Sequence, residues 1–498
     1  MNIREWRLNM SLLGKTIFFV AWFNAICFVL LTADPVIVQD SWYYLGAFLR
    51  HAIDGTLSYS DFFVRRAGID HSQPLYKLIY LAELRWFQLD FMPQAILGIF
   101  SAVAIAYILS TFLPNDGQDS HDNCRYWMAI AIFGVMLFSL NSTEIWTWPD
   151  VALQYVGFLF AFLFFSAGWK AISSGVFFPL VAMSVALTTI AADVSLLAMA
   201  SLLAVTIAFW LRQFNRRNII RCICAVIISA IMIQTLLHWI TPIVGVSVRH
   251  SSTIEIMIAL SKENWLKMIV LPLANSVVVT ESLKRWVPDN VWMIQVIVAV
   301  FLLIMHGWFW KQFLYTKISK STYFSTCLML FFYALVAGII YGRVTTKGSD
   351  YLNSPRYVMY YQFNIIALTL MFVGTYVKPL GAPGKIFSSM ITAAAVTLIA
   401  LQIPASSDAW SSAPYHRAAY ESIAKQIIAI GEQPNLTPPN CAPELPLCKY
   451  SPEKRQNLIQ LLQKDNLNIY SNGFRQMHGL NHIDSKWEGT PSGNSPQG

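Results

Sequence analysis

Residues 16–42 read TIFFVAWFNAICFVLLTADPVIVQDSW, and the change of character inside that stretch decides the fold. Residues 16–33 contain no Asp, Glu, Lys or Arg. As a helix they reach across most of a hydrocarbon core of ~30 Å, which takes about 17–25 residues. Asp34-Pro35 then ends the run, and Asp40-Ser41-Trp42 opens a new, polar and aromatic stretch. The apolar run is too long for a cleaved signal peptide, and no small-residue cleavage pattern follows it, so it is expected to remain as the first span.

The rest of the chain repeats the pattern. Of its 498 residues 56% are hydrophobic and only 12% charged, against roughly 25% charged in soluble domains. That excludes a soluble globular enzyme, a disordered chain and a coiled coil. Ten further apolar runs lie at roughly 94–113, 127–143, 150–168, 176–192, 195–211, 219–238, 291–310, 322–341, 357–375 and 386–403. The expected fold is an all-α polytopic membrane protein with about eleven transmembrane helices. Residues 1–403 form the membrane domain and 404–498 a small outer tail, with Ser485–Gly498 disordered because Gly, Ser, Pro and Asn dominate it.

Charge sets the expected orientation. The tail holds as many acidic as basic residues, so the whole excess of +8 lies in residues 1–403. Arg4, Arg7 and Lys15 precede span one; Arg212, Arg216, Arg217 and Arg221 fill one later loop, Lys311, Lys317 and Lys320 another, Lys378 and Lys385 a third. With eleven spans these share one side, which the positive-inside rule makes cytoplasmic. The basic balance is therefore a topology signal and implies no nucleic-acid partner. Residues 34–93, 239–290, 342–356 and the tail fall outside. Gln73–Asp90 is read as an interfacial amphipathic helix, since Lys77, Glu83 and Arg85 are costly inside lipid. In the tail, Asn457–Tyr470 is a further amphipathic candidate, and Cys441 and Cys448 can pair if that compartment is oxidising.

The first outer loop, at ~60 residues, exceeds ordinary connections several-fold, and such loops tend to carry function. Asp40 lies just past span one, ahead of a short amphipathic helix over Trp42–Ile53. It can take a proton from an incoming hydroxyl, or simply cap that helix. His71 precedes Pro74 at the entrance of the interfacial helix, where a hydrogen-bonded helix start competes with a substrate contact. Lys77 can meet a phosphate or snorkel to the head groups. Arg343 and the run Ser354-Pro355-Arg356-Tyr357 bracket a later outer loop. Two guanidiniums there fit a lipid-linked phosphate, lipid head groups or a salt bridge to Asp40 or Asp61. Asn141–Asp150, with Glu144, Trp146, Trp148 and Asp150, is either a sugar-cavity wall or an aromatic belt. His478 and His482 lack the Glu of a zinc hydrolase helix, so no metal site is read there.

Together these residues resemble the GT-C superfamily, multi-span glycosyltransferases that use polyprenyl-phosphate sugars, such as the protein O-mannosyltransferases and lipid A aminoarabinose transferases. The likeness rests on Asp40 after span one, on the long outer loop, and on His71, Pro74, Leu75 and Tyr76, which match a His-Pro-Pro-Leu-Tyr run with one residue inserted. Arg343 and Ser354–Tyr357 look like the later basic residues of such enzymes. The paired acidic motif is absent, since Ser41 follows Asp40.

The resemblance implies inverting transfer of a sugar from a polyprenyl-phosphate donor to a glycan, lipid or protein of the cell envelope. It places the enzyme in a bacterial inner membrane, N-terminus cytoplasmic and C-terminus periplasmic, among membrane lipids. Asp40 would be the catalytic base, and His71, Lys77, Arg343, Arg356 and Tyr357 would bind substrate. No cofactor is implied, and the need for a divalent cation stays open. The competing readings are a transporter or flippase of a lipid-linked sugar, and an O-antigen polymerase or ligase.

Overall fold

The computed structural model describes residues 3–66, 74–114, 120–190, 192–240, 243–244, 253–375, 382–435 and 440–483, which are predominantly helical. The longer helices are α1 (Ile3–Thr32), α2 (Pro74–Trp86), α3 (Met92–Phe112), α4 (Ser120–Leu137), α5 (Gln154–Ser174), α6 (Phe178–Ile190) and α7 (Ala192–Leu211). They continue with α8 (Arg216–Ile240), α9 (Trp265–Asn275), α10 (Val291–Tyr315), α11 (Lys320–Ile339), α12 (Val358–Thr375), α13 (Ala382–Glu432) and α14 (Pro452–Lys464).

Among the described residues, eight helices are long and apolar enough to cross a membrane: α1, α3, α5, α7, α8, α10, α11 and α12. All eleven apolar runs of the sequence fall on helices, but those on α4 and α6 are short, Arg125–Leu137 and Phe178–Thr189, and the eleventh falls on α13. A ninth span would need α9 and Thr280–Trp286 to count as one, although they bend by 81°. The contacts of α9 argue against a crossing. Near its start, Lys267 pairs with Asp350 (2.7 Å) and Glu263 accepts the backbone N–H of Ser349 (2.8 Å). At its end, Asn275 donates to Asn353 Oδ1 (3.2 Å). Both ends thus meet the same five-residue turn, so α9 stays on one face.

Helix ends sort into two faces by the bonds between them. On one, Arg212 donates to the carbonyls of Phe313 and Thr316, Lys320 to Thr111 O (2.9 Å), and Asn215 to Ile172 O (2.8 Å). This is the basic face. On the other, the Asp34 N–H donates to Thr147 O (2.9 Å), Ser142 Oγ to Pro355 O (2.5 Å), and Asn141 Nδ2 to Val277 O (3.3 Å). This face carries the long first loop. Residues 65–66 of that loop pair in parallel with 243–244 beyond α8, joining two segments of this face.

Two cores result. The larger fills the bundle with Phe and Leu from α3, α5, α10, α11 and α12. The second lies beyond the face that carries the first loop: Val36, Trp42, Leu45, Phe48 and Tyr80 pack on Ile423, Ile427, Leu458, Leu462 and Ile469 of the tail. The tail is not a separate appendage, because α13 runs unbroken through residue 404, with Pro404 and Pro414 inside it. The amphipathic tail helix is α14, ending at Lys464 before the Asp465-Asn466 break. Cys441 and Cys448 are disulfide-bonded. Ser485–Gly498 lies outside the described residues.

Candidate functional site

Asp40 is exposed at the N-terminus of the helical stretch 41–53, and its carboxylate makes no capping bond to it. Of its two sequence readings, the cap is not formed. The backbone that presents it is fixed by the tail: Gln39, in a left-handed conformation (φ 47°), donates its N–H to Glu444 O (2.9 Å).

A second carboxylate stands beside it. Asp150 is a repulsive electrostatic neighbour of Asp40. Its Oδ1 accepts the Tyr80 hydroxyl (2.5 Å) and its Oδ2 the Ser41 hydroxyl (3.2 Å), while Tyr80 and Ser41 touch each other at 3.0 Å. Burial, with Asp150 adjacent, keeps Tyr80 a neutral phenol by raising its pKa well above the ordinary value. Tyr80 is buried on α2, stacked on Tyr44 at 4.5 Å. The turn carrying Asp150 lies tight on α3 because residue 98 is glycine: a Cβ there would stand 2.7 Å from Ala152 O. Deeper in the same wall, Glu83 accepts Gln94 Nε2 (2.7 Å) through one oxygen and leaves the other without a partner. Burial pushes the Glu83 carboxyl well above the usual carboxylate range.

The basic half of the site approaches the same turn from the other end. Arg356 Nη2 pairs with Glu144 Oε1 (3.0 Å), its Nε donates to Ser354 Oγ (3.2 Å), and its guanidinium lies 5.2 Å over the Trp148 ring. Burial raises the Glu144 carboxyl, and the adjacent Arg356 pulls it back down. Arg343 is exposed, and both arginines act electrostatically on Tyr357. Tyr357 packs edge-on against Tyr351 at 5.9 Å. Trp148 has a buried indole N–H with no hydrogen-bond partner among the described residues. It precedes Asp150 by two residues, at most about 7 Å of chain. A single turn, 144–150, therefore holds the acidic group with one end and the arginine group with the other.

Of the residues singled out from sequence, Asp40 and Arg356 border this turn, and Arg343 acts electrostatically on Tyr357, next to Arg356. Lys77 does something else. It is buried at 2% exposure and donates to the carbonyls of Asp61 (3.1 Å) and Val64, so it folds the first loop back on α2. His71 lies outside the described residues. Tyr80 and Ser41 are not singled out by the sequence, and Glu144 and Asp150 enter it only as either a sugar-cavity wall or an aromatic belt. The two carboxylates and two tryptophans of 141–150 were visible, but that composition equally describes an interfacial belt. Among the described residues no group of three His, Cys, Asp or Glu stands close enough to hold a metal ion. His478 instead pairs with Asp90 (2.8 Å).

Such a site, on the face of a multi-pass helical membrane protein opposite the basic one, can exchange a proton at one end and hold an anion at the other. No protein-family model, curated protein or solved structure matches this chain.

Proposed function

We propose that this protein is a membrane glycosyltransferase. It moves a sugar, with inversion, from a polyprenyl-phosphate donor to an envelope glycan, lipid or protein acceptor on the outer face of a bacterial inner membrane. In this reading the chain crosses eleven times, with α4, α6 and α13 completing the eight longest spans, the N-terminus cytoplasmic and the tail periplasmic. The observation that carries it is the 144–150 turn, with the Asp40–Asp150 pair at one end and Arg356 at the other.

The chemistry follows from that division. Asp40, exposed and free of a capping role, accepts the proton of the acceptor hydroxyl as its oxygen attacks the anomeric carbon. The carbon–oxygen bond to the lipid phosphate breaks, and the bonding pair leaves with the phosphate. Negative charge grows on that leaving group, which Arg343 and the unpaired edge of Arg356 stabilise. Asp150, already holding two hydroxyl donors, fixes Ser41 beside Asp40.

The test is transfer by the purified protein from radiolabelled polyprenyl-phosphate sugars to candidate acceptors. Asp40→Asn should lower the rate ~10²–10⁴-fold with folding unchanged, the usual loss of a general base. Wild-type-like transfer by that variant removes Asp40 from its role. A wild-type protein inert with every donor class overturns the reading.

A further inference from the structure

The basic face carries a second feature, unrelated to the outer site. A cleft of about 590 Å³, counted out to its open side, runs between α4, α10, α12 and α13. Its walls are apolar: Ala129 and Ile132 on α4, Leu302 on α10, Phe372 on α12 and Ala394 on α13 are representative. Thr369 also faces it, but its hydroxyl donates to Ile365 O (2.8 Å) and is satisfied within its own helix. Small residues, Ala129, Ala394 and Ala395, line it where larger side chains would fill the space.

The one charged residue lining the cleft is Arg125, at the basic-face end of α4. From Arg125 the α4 wall extends to Ile132, seven residues or about 10 Å into the bundle. A cation at head-group level above an apolar slot at hydrocarbon depth matches the charge and shape of one lipid class. Basic pockets between spans on the cytoplasmic side characteristically take anionic head groups.

We propose that this cleft binds an anionic phospholipid of the leaflet on the basic face, with its phosphate on Arg125 and one acyl chain between α4, α10, α12 and α13. The site is independent of the glycosyltransferase reading. Its one charged lining residue, Arg125, lies toward the face opposite Asp40 and Arg356, so a sugar donor whose phosphate lies at those residues cannot also place it on Arg125. The bound chain would hold together α12, which begins beside Arg356, and α13, which carries the tail that packs under Asp40.

The test is native mass spectrometry of the detergent-purified full chain, titrated with phosphatidylglycerol or phosphatidylcholine, for wild type, Arg125→Gln and Ala394→Trp. The wild type should retain one phosphatidylglycerol with about fivefold preference, the ~1 kcal/mol of one basic residue near the surface. Arg125→Gln should abolish the preference, and Ala394→Trp should abolish retention of either lipid. Equal binding of both lipids by the wild type overturns the proposal. So does an unchanged preference in Arg125→Gln, a variant whose melting temperature checks that it folds. Displacement of the bound lipid by sub-stoichiometric polyprenyl phosphate would also overturn it, by assigning the cleft to a different lipid.

Discussion

Tyr80 has one proton and two oxygen neighbours, and it gives that proton to Asp150 at 2.5 Å rather than to Ser41 at 3.0 Å. Tyr80→Phe leaves the ring stacked on Tyr44 and removes only that donation. A hydrogen bond to a charged group contributes about 1.5–3 kcal/mol. The variant should therefore lose about that much unfolding free energy in detergent, with a lower melting temperature, and transfer should fall although Asp40 is intact. An unchanged melting temperature would show that Asp150 finds another donor. Asp34 makes a separate, pH-dependent contribution. Burial pushes its carboxyl up to about 7, opposed by the N–H of Val36, and Glu444 adds to the rise. Its unfolded value is ~3.9, so the folded state prefers the protonated form. The associated stability is complete below about pH 4 and is lost as pH rises toward 7. Thermal midpoints of wild type should fall across that window more than those of Asp34→Asn. Parallel curves for the two proteins would remove Asp34 as the cause.

At the scale of the element, the tail fixes the segment that presents Asp40. Asn468, fully buried and left-handed (φ 48°), donates to Pro35 O (3.0 Å) and Leu89 O (2.6 Å) and accepts the N–H of Ile37 (3.3 Å). Asn468→Ala strands all three backbone groups, at about 1–3 kcal/mol for each one left unsatisfied. The variant should lose protection of residues 440–483 against protease first, and transfer with it. Equal protease resistance would mean the apolar contacts of Leu458 and Ile469 suffice. This docking could not be read from the sequence. Asn468 carries no periodic signal, and its partners lie some 380–430 residues away. Local patterns fared better: the helix at 74–86 followed from Leu75, Ile79 and Trp86 recurring at helical spacing, and the helical stretch 41–53 from its amphipathic pattern. Lys77 shows the limit of such reading, since spacing put it on the helix but only tertiary structure chose loop carbonyls over a phosphate. Asp150 was legible as a polar residue in an aromatic turn; its pairing with Asp40 depends on Gly98, a close approach that composition does not reveal.

The whole molecule makes a stricter demand, because one miscounted crossing would put Asp40 and the basic loops on the same side. Helix-end bonds gather residues 111, 172, 212, 313 and 320 on one face and 34, 141–147, 277 and 355 on the other. The basic residues of the first face predict that it is cytoplasmic. The disulfide of Cys441 and Cys448 belongs to the tail, on the second face, where an oxidising compartment would maintain it. Both signals can be checked with single added cysteines in a background in which Cys27, Cys124, Cys222, Cys224 and Cys327 are replaced. Ser58→Cys, in the exposed part of the first loop, should react with a membrane-impermeant maleimide on intact spheroplasts. Lys317→Cys, between α10 and α11, should react only after the membrane is opened. Labelling of both before permeabilisation would mean a different number of crossings between them. Reversal of the pattern would put Asp40 where no periplasmic acceptor can reach it, and the sugar-transfer reading would fail on topology before any assay of rate.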